Sequence, residues 1–336
     1  MQSQTNTHVI NWHGKPYHSL NAWCLNTLGH KCYKIALNAH MSCPNRDGTL
    51  DTRGCIFCSA GGSGEFAEDI TRESIASQLQ AGLARLQNKF SPGTAGDGSQ
   101  ACLIAYFQAY TNTYAPVEYL REVYTEALEC PSVCGVSIGT RPDCLPSETL
   151  RLLEELRKLY PRKFIWIELG LQTIHEDTAA FIRRGYALSC FEESFDRLKK
   201  AGIPVIVHLI LGLPGETPSQ MLESVEYVNR LLPFGVKLQL LHILRDTDLG
   251  AMYLETAHTA AADSRPPLRP LEKEEYLAIL IDCIRHLAPE IVIHRLTGDG
   301  PRKTLLAPAW SLDKRGVLNS LHHQMRALNA AQGDLL

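Results

Sequence analysis

Apolar residues follow two different rhythms along this chain. Short runs that are apolar at nearly every position alternate with longer segments in which apolar residues recur every three or four positions. The runs predict strands buried on both faces, and the periodic segments predict amphipathic helices between them. The six predicted strands are 31–39, 101–110, 133–140, 163–173, 203–215 and 235–244.

Helix boundaries are marked most clearly after the fifth strand. Thr217 is followed by Pro218 and Gln220, which predicts an N-cap, a proline at the first helical position and a capping box. The other predicted helices are one that begins near Ile75, one after Pro116, and those at 147–160, 176–201 and 272–288. The Pro- and Ala-rich segment 245–270 is predicted to be a loop.

Six strands that are each followed by a helix predict a parallel α/β sheet with right-handed crossovers. An open doubly wound sheet and a barrel both satisfy this pattern. In either fold, functional groups collect where the strands end. We therefore look for a site in the loops that follow the strands.

Composition narrows the class of protein. The 336 residues are 45% hydrophobic and 21% charged, with a formal net charge of −3, so no global field attracts the chain to nucleic acid. The start of the sequence lacks the pattern of a signal peptide, and no run of apolar residues is long enough to span a membrane. We therefore expect a cytoplasmic protein whose eleven cysteines are reduced, and metal binding before disulfides.

Three cysteines follow the first strand directly. Two kinds of metal centre are compatible with Cys43, Cys55 and Cys58: a structural zinc ion and an iron–sulfur cluster. A structural zinc ion needs a fourth ligand, for which His40 and Cys32 are candidates, and would make the chain a zinc-stabilised α/β binding module. A [4Fe–4S] cluster held by three thiolates would instead keep one iron open for a further ligand.

The other cysteines show little metal-ligand spacing. Only Cys130 and Cys134 lie close together in the sequence. Their position around the start of a strand is typical of buried apolar packing, and this is our interpretation of the pair.

The cysteine spacing, with Phe57 just before the last cysteine, resembles the cluster motif of the radical S-adenosylmethionine (SAM) enzymes. "GTRPDCL" (139–145), "ELGLQTIHEDTAAFIRRGY" (168–186), "HLILGLPGET" (208–217) and "LQLLHILRDTDLG" (238–250) follow in order. Together they resemble the YhcC-like subfamily and, more distantly, the Elongator catalytic subunit and the oxygen-independent coproporphyrinogen oxidases.

This resemblance implies a fold, two cofactors and a chemistry. The fold is a partial (βα)6 barrel of the TIM type with a C-terminal extension. The cofactors are a [4Fe–4S] cluster on Cys43, Cys55 and Cys58 and the SAM that it binds. Reduction of SAM to a 5′-deoxyadenosyl radical requires a low-potential electron donor of the flavodoxin or ferredoxin type.

The resemblance also implies residues that contact SAM. Arg184 occupies the position of an arginine that binds the SAM carboxylate, for which a guanidinium fork is well suited. Gln172, at a strand end, is predicted to contact the ribose hydroxyls. Glu168 lies on the same face of that strand, and either joins this contact or pairs with a cation below the site.

Three further positions belong to the predicted cofactor site. Phe57 is expected to pack near the adenine. His208 stands where relatives usually carry an aspartate that faces the ribose, and this departure leaves two alternatives for it: a ribose contact or a satisfied core histidine. Gly139 replaces a glutamate that receives the SAM ammonium in relatives, so Gln108 and nearby main-chain carbonyls are the candidates for that role.

The domain boundaries and the substrate are left as expectations. We expect an N-terminal segment at 1–30, a core barrel at 31–250 and an extension at 251–336 that closes the side of the barrel.

The resemblance to Elongator suggests a tRNA substrate, while a small molecule and a peptide are the alternatives. The C-terminal region carries a basic set that favours phosphate contacts or, alternatively, forms a solvated surface: Arg295, Arg302, Lys303, Lys314, Arg315 and Arg326.

Overall fold

A curled sheet of seven parallel strands organises the molecule. The computed structural model describes residues 11–62, 74–87, 102–258, 268–298 and 300–336. The strands are β1 (Cys32–Leu37), β2 (Cys102–Phe107), β3 (Val133–Thr140), β4 (Phe164–Gln172), β5 (Val205–Leu211), β6 (Gly235–Leu240) and β8 (Val292–Arg295). Their order in the sheet is β1-β2-β3-β4-β5-β6-β8, and every neighbouring pair is parallel. The six predicted strands and the α/β half-barrel are thereby confirmed.

Helices connect the strands and cover the outer face of the sheet. They are α1 (Leu20–Leu28), α2 (Ile75–Gln87), α3 (Val117–Glu129), α4 (Ser147–Leu159), α5 (Glu176–Phe181), α6 (Leu188–Lys200), α7 (Pro218–Leu231), α8 (Asp248–His258), α9 (Lys273–Arg285) and α10 (Lys314–Ala327). The predicted capping box is present at α7, where the Thr217 side chain accepts from the Gln220 N–H. No helix of the described residues is long and apolar enough to cross a membrane.

Several elements were not predicted from the sequence, among them α1, α8, β8 and a short strand at Leu305–Ala307. The helix α8 occupies part of the segment predicted as a loop, so that prediction is wrong over Asp248–His258. Strand β8 is only four residues long and ends in His294 and Arg295, so its apolar run is too short to indicate a strand. It adds to the sheet beside β6, and a short antiparallel pair, β7 (Ile243–Leu244) with β9 (Leu305–Ala307), lies outside the main sheet.

Helix α1 closes the end of the half-barrel at which the strands begin. Ser19 caps the helix by accepting from the Ala22 N–H. Trp23 packs edge-on against Phe164 and Trp166 of β4, with ring centroids 5.8 and 5.1 Å apart. Edge-to-face contacts between aromatic rings are favourable, and this cluster fills the barrel below its polar interior.

The inner face of the sheet is built in layers because side chains alternate along each strand. Near the strand starts it carries cysteines and the aromatic cluster around Trp166. One step higher it carries charged groups, among them Lys34, Glu168 and Lys237. The loops beyond the strand ends hold the Cys43–Cys58 segment. The layering separates two cysteine-bearing ends with a band of buried charge.

Candidate active site

The predicted cysteine loop lies beyond the carboxyl end of β1. Cys43, Cys55 and Cys58 are each half-buried. The Cys58 N–H donates to the Cys55 carbonyl (3.0 Å) and closes a turn between the two thiols. The Asn45 amide anchors the loop because its Nδ2 donates to the Arg183 carbonyl (2.8 Å) and lies 3.6 Å from the Cys55 Sγ.

Two arginines place positive charge beside the three thiols. Arg46 donates to the carbonyls of Cys58 (2.6 Å) and Ser59 (2.7 Å). Burial, and then the neighbouring Cys58, raises the pKa of the Cys55 thiol to about 12, whereas Arg141 acts to lower that pKa. Cationic neighbours favour the thiolate form that binds metal. Neither arginine was singled out from the sequence, although both lie within the conspicuous strings "CPNR" and "GTR".

The donor set fits a cluster better than a closed zinc site. Cys32 begins β1 at the far end of the barrel, so it cannot complete a site at the Cys43 loop, and His40 is exposed. Among the described residues, no Cys, His, Asp or Glu joins the three cysteines in a group whose ligand atoms all lie within 4.8 Å of one another. Three thiolates on one loop, without a fourth protein ligand, are what a [4Fe–4S] cluster with one open iron requires.

A buried ion network crosses the barrel interior below this loop. Glu168 Oε1 accepts from Lys34 Nζ (2.6 Å) and Ser137 Oγ (2.6 Å). Its Oε2 accepts from Lys237 Nζ and from His208 Nε2 (2.8 Å). The Glu168 side chain is fully buried, so the cations satisfy a charge that could not otherwise remain in the interior.

The network fixes the protonation of its members. Burial acts to raise the pKa of Glu168, but Lys237 and Lys34 outweigh it and hold the pKa well below its usual range. Burial and the charge of Lys237 lower the pKa of His208 to about 4, although Glu168 opposes that shift. At neutral pH, His208 is therefore an uncharged imidazole that donates its Nε2–H to Glu168.

A third cluster lies at the carboxyl end of β4. Arg184 is almost completely buried and donates to the carbonyls of Leu171 (3.2 Å), Thr173 (2.7 Å) and Tyr186 (2.9 Å). Its remaining nitrogen pairs with the half-exposed Glu176 carboxylate at 3.0 Å. The guanidinium therefore holds the strand end in place and keeps a single partner that water can reach.

Gln172 adopts a backbone conformation that is unusual for its residue type. Its φ is +64°, and the register between β4 and β5 shifts between Gly170 and Gln172. The Tyr186 hydroxyl lies 2.9 Å from Gln172 Oε1 and 3.0 Å from the Gly170 carbonyl. Residues held at positive φ cost free energy and cluster at functional sites, which makes this strand end a candidate site on backbone grounds as well.

A cavity of about 410 Å³ joins the cysteine loop to the barrel interior. Phe57 and Ser59 of the loop line one part of it, and Lys34 and Arg295 line another. Gln108, Tyr106, Gln239 and His242 also contribute to its wall. Its volume suits a small ligand or one large group of a bigger one.

Comparisons with known proteins decide the family. A model of the radical SAM superfamily matches residues 52–228, and a model of the radical SAM C-terminal domain matches residues 233–327. The chain is 39% identical to YtqA of Bacillus subtilis over 95% of this chain and 92% of that protein. It is 36% identical to YhcC of Escherichia coli K12 over 84% of this chain and 83% of that protein.

The chain belongs to the radical SAM superfamily. Enzymes of this superfamily use a [4Fe–4S] cluster and SAM, and the similarity to YhcC confirms the resemblance noted in the sequence. The fold is similar to that of the archaeal Elp3 of Methanocaldococcus infernus, with a TM-score of 0.63 and 14% identity over 90% of this chain and 64% of that one.

The residues predicted to contact SAM fall into two groups. Phe57 and Gln108 line the cavity, and Gln172 is the last residue of β4. Glu168 lies below them and pairs with Lys34 and Lys237, which matches the second alternative given for it. The SAM contacts predicted for Phe57, Gln108, Gln172, Arg184 and His208 all stay predictions. In this structure the Arg184 side chain pairs with Glu176, and the His208 side chain pairs with Glu168.

An amide that sequence reasoning missed lies near Gly139. Asn112 is fully buried, and its backbone N–H and its Nδ2 both donate to the Gly139 carbonyl at 3.0 Å. Within the described part of the chain, its Oδ1 has no hydrogen-bond partner. A buried acceptor without a donor is costly, so this oxygen joins Gln108 as a candidate for the SAM ammonium. Nothing in the sequence string "YTNTY" distinguishes it beforehand.

Proposed function

We propose that this chain cleaves SAM reductively at Cys43, Cys55 and Cys58 and uses the product on a substrate held in the adjoining cavity. When bound, the cluster and SAM supply a 5′-deoxyadenosyl radical that takes a hydrogen atom from the substrate. The observation that carries the proposal is the cavity itself, because it runs from Phe57 and Ser59 on the cysteine loop to Lys34 and Arg295 inside the barrel. The protein contributes binding, orientation and exclusion of water.

The proposal gives distinct roles to the residues around SAM. Cys43, Cys55 and Cys58 hold the cluster, with Arg46 and Arg141 favouring their thiolate forms. Arg184 binds the SAM carboxylate in place of the Glu176 carboxylate that it contacts here at 3.0 Å. Such an exchange keeps one charge-assisted pair on the guanidinium and needs no new buried charge.

The remaining roles concern the rest of SAM. Gln172 orients the ribose, with Tyr186 fixing its side-chain amide at 2.9 Å. Phe57 packs near the adenine, and Gln108 with Asn112 receives the ammonium. The Glu168 network forms the floor of the site, where it fixes the spacing of β1, β4 and β6 through Lys34 and Lys237.

For the substrate, we propose a nucleotide of tRNA. A tRNA uridine(34) acetyltransferase of Dehalococcoides mccartyi is 25% identical over 59% of this chain and 41% of its own length. Pro301 lines the cavity, and the next two residues, Arg302 and Lys303, are exposed. Cations at the entrance of a cavity would attract the phosphates on either side of an inserted nucleotide.

A small molecule or a peptide is the second candidate for the substrate. The cavity of about 410 Å³ would accept a compact ligand whole, and its wall carries Lys34 and Arg295. The chain as a whole has a formal net charge of −3, which does not favour a large polyanion.

The proposal also includes partners, place and domains. A flavodoxin- or ferredoxin-type protein would deliver the electron, and the reaction would take place in the cytoplasm. Residues 31–250 would form the core barrel, with 1–30 and 251–336 as flanking segments. The pairing of β8 with β6 supports an extension that closes the side of the barrel.

The first experiment tests SAM cleavage. Protein reconstituted anaerobically with iron and sulfide should be brown, lose its colour in air and, once reduced, release 5′-deoxyadenosine from SAM. A colourless preparation that contains zinc but binds no iron would contradict the proposal and restore the hypothesis of a zinc-stabilised binding module. Nucleoside digests of bulk tRNA from wild-type and deletion strains would then show whether one modified nucleoside disappears.

The second experiment tests the RNA substrate. If Arg295, Arg302 and Lys303 contact phosphates, replacing all three with Gln should weaken the salt dependence of tRNA binding. The slope of the logarithm of the binding constant against the logarithm of the salt concentration should become less steep by about two, at roughly 0.7 per single-strand contact. The triple replacement of Arg121, Arg151 and Arg162, on the outer helices and a loop, is the matched control. The absence of tRNA binding at low salt would leave the small molecule or peptide as the substrate.

A further inference from the structure

The starts of the first three strands bring together cysteines that are far apart in the sequence. Cys32 is the first residue of β1 and pairs in register with Cys102, the first residue of β2. His30 precedes β1 by two positions. The ligand atoms of these three residues all lie within 4.8 Å of one another, and theirs is the one such group among the residues that the structure describes.

A further thiol, from β3, lies beside this group. The register between β2 and β3 shifts at Leu103 and Ile104, so Val133 pairs with Leu103 and Cys134 has no direct partner. The irregularity directs the Cys134 side chain toward the group, with its Sγ 3.8 Å from that of Cys32. Irregularities of this kind commonly re-aim one side chain. The thiol of Cys24, a buried residue of α1, also contacts that of Cys32.

The distance between the Cys32 and Cys134 sulfur atoms matches that between two ligands of a single metal ion. Thiolates about 2.3 Å from a zinc ion lie at the corners of a tetrahedron whose edges are about 3.8 Å long. The 3.8 Å between Cys32 and Cys134 is such an edge. A [4Fe–4S] cluster binds each thiolate to a different iron and therefore holds the sulfur atoms further apart than one shared ion does.

One nitrogen at this site lacks a partner. The Nδ1 atom of His30 is buried and has no hydrogen-bond partner among the described residues. Leaving a buried imidazole nitrogen unsatisfied is costly, and few such atoms persist in folded proteins. An ion bound by neighbouring thiolates would satisfy it, since imidazole and thiolate are the usual ligands of structural zinc.

We infer that His30, Cys32, Cys102 and Cys134 form a structural zinc site at the closed end of the half-barrel. The ion would tie the α1–β1 connection to the starts of three strands, with Cys24 packed beside it. It would stabilise the end of the sheet opposite the proposed cluster and take no part in SAM cleavage. The inference does not rest on the proposed function, because none of its ligands belongs to the Cys43 loop.

The experiment compares the metal content of cysteine variants. Full-length protein produced with zinc, handled anaerobically and passed over a chelating column should retain about one zinc ion per chain. Cys102→Ser and Cys134→Ser should lose most of that zinc but retain iron after reconstitution. Cys190→Ser, a half-buried cysteine of α6, is the matched control and should retain both metals. Cys43→Ala should show the opposite pattern to Cys102→Ser, with zinc retained and iron lost.

A second measurement tests the inference even if the Cys102→Ser and Cys134→Ser variants fail to fold. In Cys43→Ala, whose cluster colour is removed, cobalt added to zinc-free protein should produce thiolate-to-cobalt charge-transfer absorption, and zinc should abolish it. Zinc should also raise the melting temperature of this variant. The inference would be overturned if added zinc did not change the melting temperature of zinc-free wild-type protein. So would a disulfide between Cys32 and either Cys102 or Cys134 found by mass spectrometry in anaerobic protein.

Discussion

The two ends of the half-barrel hold cysteines in opposite ways. At the open end, Cys43, Cys55 and Cys58 come from one loop and are flanked by Arg46 and Arg141. At the closed end, Cys32, Cys102 and Cys134 come from three strands. The ligand atoms of Cys32 and Cys102 lie within 4.8 Å of each other, and the Cys32 and Cys134 sulfur atoms are 3.8 Å apart. The first arrangement adjoins a cavity of about 410 Å³, and the second packs against Cys24 of α1.

The difference shows how position along a strand separates catalysis from stability. In folds of this class, groups at the carboxyl ends of the strands serve chemistry, and groups at the amino ends serve stability. The band of Lys34, Glu168, Lys237 and His208 lies between the two ends and ties β1, β4, β5 and β6 together. Damage to one end should therefore leave the other intact, and damage to the band should weaken the whole molecule.

The largest expected effect is the loss of the open end. Cys43→Ala, Cys55→Ala or Cys58→Ala should each remove most of the iron and abolish 5′-deoxyadenosine formation, because three thiolates are the minimum protein hold on the cluster. Iron content and product are measured after anaerobic reconstitution, with Cys190→Ala as the control. Full iron content in Cys43→Ala would mean that the cluster binds at a different site.

The buried band provides the next largest effect. Glu168→Gln should lower the free energy of unfolding by about 3–5 kcal/mol, because Lys34 and Lys237 would lose their buried counter-charge. Glu155→Gln, which breaks the exposed pair with Arg121, should cost less than about 1 kcal/mol. Denaturant unfolding of both variants gives the comparison, and equal losses would show that the band is not a structural core.

The pH dependence of stability sharpens the role of the band. The pKa of His208 is lowered to about 4 in the folded protein, from 6.5, so the unfolded chain binds more protons between these values. The free energy of unfolding should therefore rise with pH from about 4 to 6.5, by up to about 3 kcal/mol from this group. Glu168 acts in the same direction but at lower pH, where its depressed pKa is reached.

His208→Asn should flatten the rise in stability over that range. His323→Asn, at an exposed histidine of α10, is the matched control. Urea unfolding at several pH values measures both. An unchanged slope in His208→Asn would mean that His208 titrates normally in the folded state.

The smallest expected effect concerns the SAM carboxylate. Arg184→Gln should weaken SAM binding by roughly 1.5–3 kcal/mol, the scale of a hydrogen bond to a charged group. Its neighbour Arg183, which pairs with Asp248, supplies the control variant Arg183→Gln. Because Arg184 also supports three carbonyls, melting curves accompany the SAM titrations, and affinities are compared for folded protein. Equal affinity in Arg184→Gln and wild type would remove Arg184 from the site.

The sequence determined the features that depend on neighbours along the chain. The six apolar runs became six strands of the parallel sheet, and Thr217 with Gln220 formed the predicted capping box. Cys43, Cys55 and Cys58 could be recognised because all three lie within one loop, where spacing alone fixes their proximity. Strand β8 and helix α8 were missed because a four-residue strand and a helix beside Pro- and Ala-rich sequence carry weak periodicity.

Only the tertiary structure decided the features that depend on strand register. Glu168 meets Lys34 from 134 residues away and Lys237 from 69 residues away, and no spacing rule predicts such partners. Cys134, interpreted from the sequence as apolar packing, does pack against the Trp166 cluster, but its thiol also lies 3.8 Å from that of Cys32 because β3 is irregular beside β2. Pairing between strands is set by burial of the whole sheet, so it brings together residues whose chemistry the linear sequence leaves apart.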